Sequence, residues 1–277
     1  MKKLIVSGDS YTSKTFRSEA HPEMDVSWDK WPALLAKEWG LECINLARGG
    51  VGNEYIYATI QDEIMNTKDK SEIGMVVAGW SQCHREDFTL GFDNHFNQPR
   101  RQLLNYATHW QSVRIHEHGD LIYWINKSCR NFLSLQILCE RYNIPFIHFS
   151  MIHPYNNYVQ GLEPTEEDVL TLGKEAAFDM QVQTPRPSEP NYTAEKLHRV
   201  VLAYDNQIDN TKFLGWPMDK GIGGYSLNYE VFGWSQNMER PYHISDDDQH
   251  PNAKGQVKLM QWIKEKAENI YNINMEK

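Results

Sequence analysis

Short apolar runs alternate with longer amphipathic stretches along the first 150 residues of the chain. The short runs are bounded by turn residues and have strand length, which is typical of buried strands. We predict strands over residues 3–7, 42–46, 73–78 and 146–150. The stretches between them repeat apolar residues at helical spacing. We predict helices over residues 28–39, 53–65 and 120–141.

This alternation of strands and helices predicts an α/β fold with a central parallel sheet and helices on both faces, a three-layer α/β/α sandwich. Right-handed crossovers bring every strand-to-helix loop to one edge of such a sheet. The loops at Ser10, Gly50, Ser81 and Ser150 should therefore converge. Ligands of open α/β sheets bind at that edge.

The second half of the chain departs from the pattern. Residues 154–243 include an acidic tract and a proline-rich, linker-like stretch, with one helix predicted near 193–205 and one strand near 212–216. A final amphipathic helix is predicted over 252–271. We interpret residues 1–277 as a single domain in which 154–243 is an insertion, or lid, around one core strand.

Two further stretches carry weaker signals. Residues 83–118 are polar and rich in histidine, without a clear period, and 221–229 is predicted as a loop or hairpin. Within the first stretch, His84, Arg85 and Glu86 follow the third strand. They fit the lining of a cleft and surface ion pairs equally well.

Composition excludes several classes of protein. The net charge of −9 argues against nucleic acid as a partner, because phosphate binding needs clustered lysine and arginine. No stretch approaches the roughly 20 apolar residues that a membrane span needs. The four cysteines lack close pairing and are expected to be buried free thiols in a reducing compartment, without a metal. We expect a cytoplasmic product; a virus-encoded protein released by lysis fits equally well.

Two separated motifs suggest chemistry. Gly8-Asp9-Ser10 directly follows the first strand, and Asp247-Asp248-Gln249-His250 directly precedes the last helix. Each motif alone is a weak signal, since both fit ordinary turns. Together they supply the hydroxyl, imidazole and carboxylate that nucleophilic acyl transfer requires.

The placement of these motifs resembles that of the SGNH, or GDSL-like, hydrolases. Their first block matches Gly8-Asp9-Ser10, their second matches the spacing of Asn45 and Gly50, and their last matches Asp247 and His250. Their third block, G-x-N-D, is replaced here by Gly79-Trp80-Ser81-Gln82. The resemblance spans nearly the whole chain and implies a flavodoxin-like fold.

The resemblance also implies roles. Ser10 would be the nucleophile, His250 the general base and then acid, and Asp247 the carboxylate that orients the imidazole. Asp246 and Asp248 are alternative carboxylates. The backbone N–H groups of Ser10 and Gly50 would bind the oxyanion.

The third oxyanion donor is the open question, since the asparagine of the third block is absent. Ser81 occupies its position, and Gln82 and Asn53 are alternatives. Asp9 is expected to hold its loop by local hydrogen bonds. Trp80 fits either a sugar-stacking surface of the site or the core.

The leading hypothesis is a serine esterase that cleaves small O-acyl groups, acetyl first, from a small-molecule or carbohydrate ester. A non-catalytic glycan-binding module and an O-acyltransferase remain alternatives. No cofactor or metal is expected, because serine, imidazole and backbone amides suffice for this chemistry.

Overall fold

A computed structural model describes residues 1–83, 85–92, 104–109, 121–154, 194–218, 225–233 and 241–271. Its strands are β1 (Lys3–Ser7), β2 (Glu42–Asn45), β3 (Ile73–Trp80), β4 (Glu86–Phe92), β5 (Leu104–His109), β6 (Phe146–Ser150) and β7 (Phe213–Leu214). Its helices are α1 (Trp31–Glu38), α2 (Asn53–Asn66), α3 (Leu121–Arg141), α4 (Ala194–Leu202), α5 (Leu227–Phe232) and α6 (Ala253–Tyr271).

The central sheet has the strand order β2-β1-β3-β6-β7, and all its neighbouring pairs are parallel. The chain moves from β1 to β2 on one side and then to β3 on the other, so the order reverses beside β1. Open α/β sheets bind ligands at this reversal, outside the carboxyl ends of the strands. The predicted three-layer α/β/α, flavodoxin-like fold is confirmed.

Helices on both faces bury the sheet. α1 packs against α6, whereas α2 packs against α3, which also contacts α4. Leu4, Ile5 and Val6 of β1 are fully buried, as expected for a central parallel strand covered on both faces. A 2.8 Å hydrogen bond from the Trp31 backbone N–H to Gln256 Oε1 fixes the start of α1 against the first turn of α6.

The hairpin of β4 and β5 differs from the sequence prediction, which placed no element between residues 83 and 118. The two strands pair with each other in an antiparallel ladder, separate from the main sheet. Each strand pairs with the other and not with the buried main sheet. Neither therefore carries the long apolar run that marks a core strand. Helix α5 also replaces part of a predicted loop. Ser226 caps it by accepting a hydrogen bond from the Tyr229 N–H.

The predicted core strand near 212–216 is present as β7, which pairs with β6. Most of the proposed lid lies outside the described residues, and the division into core and insertion stays a prediction. All four cysteines are free thiols, of which Cys43 is half-buried and the others are buried. Within the described part of the chain, no helix is long and apolar enough to cross a membrane.

His148 lies in the middle of β6 and is fully buried. Its ring stacks on Phe213 at 4.3 Å, and its Nδ1 accepts a 3.2 Å hydrogen bond from Trp80 Nε1. Burial lowers the pKa of His148 to about 3. The imidazole is therefore a neutral part of the core, and protonating it requires the core to open.

This histidine should make the fold sensitive to acid. The folded state binds fewer protons than the unfolded state between pH 3 and about 6.5, so stability falls as the pH falls through that window. The loss at pH 5 should be on the order of 2 kcal/mol. In His148→Asn, which keeps an acceptor for Trp80, urea unfolding should show a flatter dependence between pH 7 and pH 5. Equal dependence in both proteins would contradict this assignment.

Candidate active site

Ser10 lies at the carboxyl end of β1, in a turn built by Asp9. The Asp9 carbonyl accepts hydrogen bonds from the backbone N–H groups of Thr12 and Ser13, at 3.1 and 3.0 Å. The Asp9 side chain accepts the N–H of Tyr11 at 3.0 Å. A fully buried strand followed at once by this tight turn holds the Ser10 hydroxyl at the edge of the sheet.

His250 meets Ser10 from the other end of the chain. Its Nε2 lies 2.8 Å from Ser10 Oγ. The histidine is carried by the turn that precedes α6, and Ile244 N–H donates to its carbonyl at 2.9 Å. Gln256 on the first turn of α6 donates to the Tyr11 carbonyl at 3.3 Å, which ties that helix to the serine turn.

The carboxylate beside His250 belongs to Asp248, which corrects the prediction of Asp247. Asp248 Oδ1 lies 2.6 Å from His250 Nδ1 and also accepts the His250 backbone N–H at 3.0 Å. An aspartate two residues before its partner closes a local turn of this kind readily. Asp248 is therefore buried inside the turn, whereas Asp246 and Asp247 are exposed.

This contact defines the tautomer of the histidine. An ionised carboxylate only accepts hydrogen bonds, so Nδ1 must carry the proton that faces Asp248. In the neutral ring, Nε2 then has a lone pair that faces the Ser10 hydroxyl. The three groups thus form a continuous array in which the serine donates to the histidine and the histidine donates to the aspartate.

Local hydrogen bonds keep Asp248 ionised. Burial alone would raise its pKa, but donation from Ser18 and from the backbone and ring of His250 outweighs burial, and the pKa lies below its ordinary value. The residue therefore keeps its negative charge at any pH at which the protein is expected to work. That charge favours the protonated imidazole that forms when Ser10 loses its proton.

Two aromatic rings hold the imidazole. The ring centroids of Tyr11 and Phe16 lie 4.6 and 4.2 Å from that of His250, with tilts of 39° and 33°. Sequence reasoning missed both residues, because isolated aromatic residues in a loop carry no periodic signal. Their packing restricts the ring to the orientation that serves both Ser10 and Asp248.

The loop after β2 lies beside Ser10 and contains Gly50. Arg48 N–H donates to the Gly8 carbonyl at 3.1 Å, and Asn45 Nδ2 donates to the Thr12 carbonyl at 2.9 Å. Gly50 has a φ of 80°, in the left-handed region that glycine tolerates best. The glycine loop is thus fastened to the serine turn, as the predicted oxyanion site requires.

The residues of the third block take different positions. Ser81 is fully buried at the tip of β3, and within the described residues its hydroxyl has no hydrogen-bond partner. Its backbone N–H donates to Asn53 Oδ1 at 2.8 Å, while Asn53 Nδ2 donates to Ser128 Oγ at 3.0 Å. Asn53, the suggested alternative oxyanion donor, therefore braces β3 against α2 and α3 through its amide oxygen and its amide nitrogen.

Of the two roles that the sequence left open for Trp80, the structure shows the one in the core. It is fully buried and lies 4.7 Å from the ring of Phe132. Its Nε1 donates to His148, as described above. A side chain on this face of β3 points beneath α3, so Trp80 presents no stacking surface to a sugar. Trp234, for which the sequence leaves open the same two roles, lies outside the described residues.

Arg85 is buried under the serine turn, although the sequence left open a surface role. Its guanidinium lies 3.9 Å from Asp9 Oδ2 and donates to the Val51 carbonyl at 3.2 Å. Its Nε donates to Gln82 Oε1 at 3.2 Å. Because a guanidinium has donors only, the Gln82 amide must turn its oxygen to Arg85 and its NH₂ group away.

Asp9 and Asp87 are the carboxylates near this cation. Burial raises the pKa of Asp9, while Arg85 and the Tyr11 N–H oppose that rise. Asp87 accepts the backbone N–H groups of Gly52 and Tyr55, both at 2.8 Å, and so caps the start of α2. A Cβ at Gly52 would lie 2.4 Å from the Arg85 carbonyl, so the close approach of these two loops requires glycine.

Metal chemistry finds no support in the described ranges, where no group of three or more His, Cys, Asp or Glu side chains is arranged to hold an ion. The arrangement instead suits proton transfer and nucleophilic attack. It brings together Ser10, His250 and Asp248, with the backbone of the glycine loop alongside.

Comparisons with known proteins yield distant structural similarities. No protein-family description matches the chain, and no curated protein matches it. Among solved structures, TesA is 13% identical with a TM-score of 0.43, and the alignment covers 97% of this chain and 99% of TesA. A lipolytic protein of the G-D-S-L family from Desulfitobacterium hafniense DCB-2 is 14% identical, with coverages of 98% and 99% and a TM-score of 0.43.

A third similar structure is the psychrotrophic esterase EstA from Pseudoalteromonas sp., inhibited by monoethylphosphonate. It is 10% identical, with coverages of 98% and 100% and a TM-score of 0.44. The strand order, with Gly8-Asp9-Ser10 after β1, the Asn45 and Gly50 spacing at the end of β2, and His250 before α6, is that of the flavodoxin-like fold that the resemblance implies.

The assignment of Asp248, and not Asp247, as the carboxylate beside His250 can be tested by substitution. Asp248→Asn should lower the turnover of p-nitrophenyl acetate by about 10²–10⁴-fold, because the amide favours the wrong tautomer of His250. Asp247→Asn, an isosteric change on the exposed neighbour, should stay within about twofold of the wild type. A large loss in Asp247→Asn together with an active Asp248→Asn would restore the original assignment.

Proposed function

We propose that the chain is a serine esterase that works through an acyl-enzyme. The single observation that carries this proposal is the array of Ser10, His250 and Asp248, joined by contacts of 2.8 and 2.6 Å. Each neighbouring pair has the polarity that the reaction needs. The Ser10 hydroxyl donates to a histidine nitrogen whose other nitrogen donates to an ionised carboxylate.

The first half of the reaction acylates the serine. His250 Nε2 takes the Ser10 proton as Oγ attacks the ester carbonyl carbon, and the carbonyl oxygen becomes an oxyanion. The tetrahedral intermediate then collapses. Its bond to the alcohol oxygen breaks, and His250 returns the proton to that oxygen, which releases the alcohol.

The second half regenerates the enzyme. A water molecule attacks the acyl carbon while His250 accepts one of its protons. The bond between the acyl carbon and Ser10 Oγ breaks, the proton passes back to Oγ, and the carboxylic acid leaves. Asp248 stays ionised throughout and stabilises the imidazolium in both steps.

We further propose that the oxyanion binds to the backbone N–H groups of Ser10 and Gly50 and to the hydroxyl of Ser81. The register of β1 against β3 supports the Ser81 hydroxyl as the third donor. Ser7 pairs with Ala78, so the carboxyl ends of these two parallel strands lie side by side. Ser81 Oγ is buried, and no group among the described residues forms a hydrogen bond with it. Gln82 is held through its amide oxygen by Arg85, and Asn53 donates one of its two N–H groups to Ser128, so the remaining amide N–H groups of these two residues are the alternatives to Ser81.

For the substrate, we propose small acyl groups, with acetyl esters of carbohydrates as the first class to test. The alternative of a non-catalytic glycan-binding module gains nothing from a hydrogen-bonded array of this kind. An acyltransferase would share the array and differ in the acceptor. Product analysis with a sugar present separates the two, because free acid indicates hydrolysis and acylated sugar indicates transfer.

Ser10→Ala tests the proposed nucleophile. The variant should lose at least about 10³-fold in the turnover of p-nitrophenyl acetate, since no other group in the array can form the acyl-enzyme. Ser7→Ala is a matched control, because Ser7 lies in the strand that leads to Ser10 and its buried hydroxyl bonds, among the described residues, only Thr59. The proposal fails if purified Ser10→Ala turns over the ester at the wild-type rate.

Ser81→Ala tests the third oxyanion donor. Loss of one donor should lower kcat by about 10–10²-fold with little change in KM, because the hydrogen bond forms fully only in the transition state. Ser81→Asn would offer an amide donor at the same position. An unchanged kcat in a folded Ser81→Ala protein would exclude this hydroxyl from the oxyanion site.

A further inference from the structure

A second serine contacts the catalytic array from the connection between β1 and α1. Ser18 is buried, and its Oγ donates to Asp248 Oδ2 at 2.5 Å. The same oxygen accepts the backbone N–H of His21 at 3.0 Å. Because an ionised carboxylate only accepts hydrogen bonds, the single Ser18 hydroxyl proton points to Asp248.

A neighbouring contact fastens the same connection to the same turn. His21 Nε2 lies 2.6 Å from Ser245 Oγ, and Ser245 Oγ accepts the Asp248 backbone N–H at 3.1 Å. Two polar bridges therefore join residues 18–21 to residues 245–248. The Asp248 side chain is reached from one side by Ser18 and from the other by His250.

We propose that Ser18 is a positioning residue that extends the array to Ser10–His250–Asp248–Ser18 and fixes the plane of the Asp248 carboxylate. This inference rests on the proposed esterase function. Asp248 Oδ1 serves His250 through its ring and its backbone, which leaves Oδ2 as the only other oxygen that can anchor the group. Ser18 supplies that anchor.

The physical consequence of losing Ser18 follows from burial. Without the hydroxyl, Asp248 Oδ2 lies buried with no donor, and a buried carboxylate oxygen without a hydrogen bond is costly. The carboxylate would then turn away from Nδ1 of His250 or take up a proton more readily. Either change weakens its support of the imidazolium.

The surrounding titratable groups do not replace that donor. His250 already faces Oδ1, and His21 contacts Asp248 only through Ser245. The Tyr11 ring packs against the His250 ring, and within the described residues its hydroxyl makes no hydrogen bond to Asp248. Burial, followed by the charges of Asp9 and Asp248, raises the pKa of Tyr11.

Ser18→Ala is the test, with Ser13→Ala as the matched control. Ser13 is a buried serine of the same connection, and in the part of the chain that the structure describes its hydroxyl bonds only Thr15. We expect kcat on p-nitrophenyl acetate, corrected for the titrated fraction of active sites, to fall about tenfold in Ser18→Ala, with KM within twofold. Ser13→Ala should match the wild type.

A second readout does not depend on turnover. The Asp248 carboxyl carbon, followed by ¹³C NMR and assigned with Asp248→Asn, should titrate at a higher pH in Ser18→Ala than in the wild type. If the wild type turns over no ester, the proposed function fails, and this titration still decides the role of Ser18.

If the wild type is active, the inference holds only if both readouts change as described. A kcat within twofold of the wild type overturns it, as does a lower kcat with an unmoved carboxyl titration, which would indicate a general structural defect. If Ser18→Ala does not fold, Ser18→Cys keeps the volume with a weaker donor. It should then show a smaller shift in the same direction, and wild-type behaviour would overturn the proposal.

Discussion

The hydrogen bond between Ser10 and His250 joins groups that lie 240 positions apart along the chain. It forms only if the first strand is buried inside the sheet, between β2 and β3, and the last helix begins at the edge where that strand ends. The Gln256 side chain on the first turn of α6 ties these parts together. It accepts a hydrogen bond from the Trp31 N–H at the start of α1 and donates one to the carbonyl of Tyr11 in the serine turn. The chemistry therefore depends on the completed fold, and no local segment contains it.

Around this contact, buried polar side chains hold the serine turn and the glycine loop in place through hydrogen bonds. Arg85 lies under the serine turn and bonds the carbonyl of Val51, while Asp87 holds the N–H groups at the start of α2. A buried polar network is stable only when its partners are in place, so it favours one arrangement of the loops over all others. The same principle holds at Asp248, whose two oxygens are served from separate loops.

Much of the fold could be predicted from the sequence, because parallel strands are buried on both faces and appear as short apolar runs. The serine turn and the histidine could also be predicted, because the first directly follows β1 and the second directly precedes α6. Both of these elements have a clear apolar pattern in the sequence. The β4–β5 hairpin was missed because its strands pair with each other and carry no apolar run. Helix α5 is only a turn and a half long and is marked mainly by its Ser226 cap.

The site was less predictable where the direction of a side chain decides which residue makes a contact. A row of three aspartates offers equivalent chemistry, and only the turn that closes on the His250 backbone selects Asp248. Ser18, Tyr11 and Phe16 lie in a connection without periodicity, and their contacts with the array are tertiary. Trp80 satisfied the pattern of a strand end, and its burial became apparent only from the packing of β3 beneath α3.

The most direct test of the central claim is covalent labelling with an alkyl fluorophosphonate, in which serine oxygen displaces fluoride from phosphorus. Intact mass and peptide mapping should show one phosphonyl group per wild-type chain, on Ser10. His250→Ala should react far more slowly while unfolding at a similar urea concentration, because the general base is gone. A folded wild-type protein that is not labelled at Ser10, or that is labelled there equally fast without His250, would contradict the account.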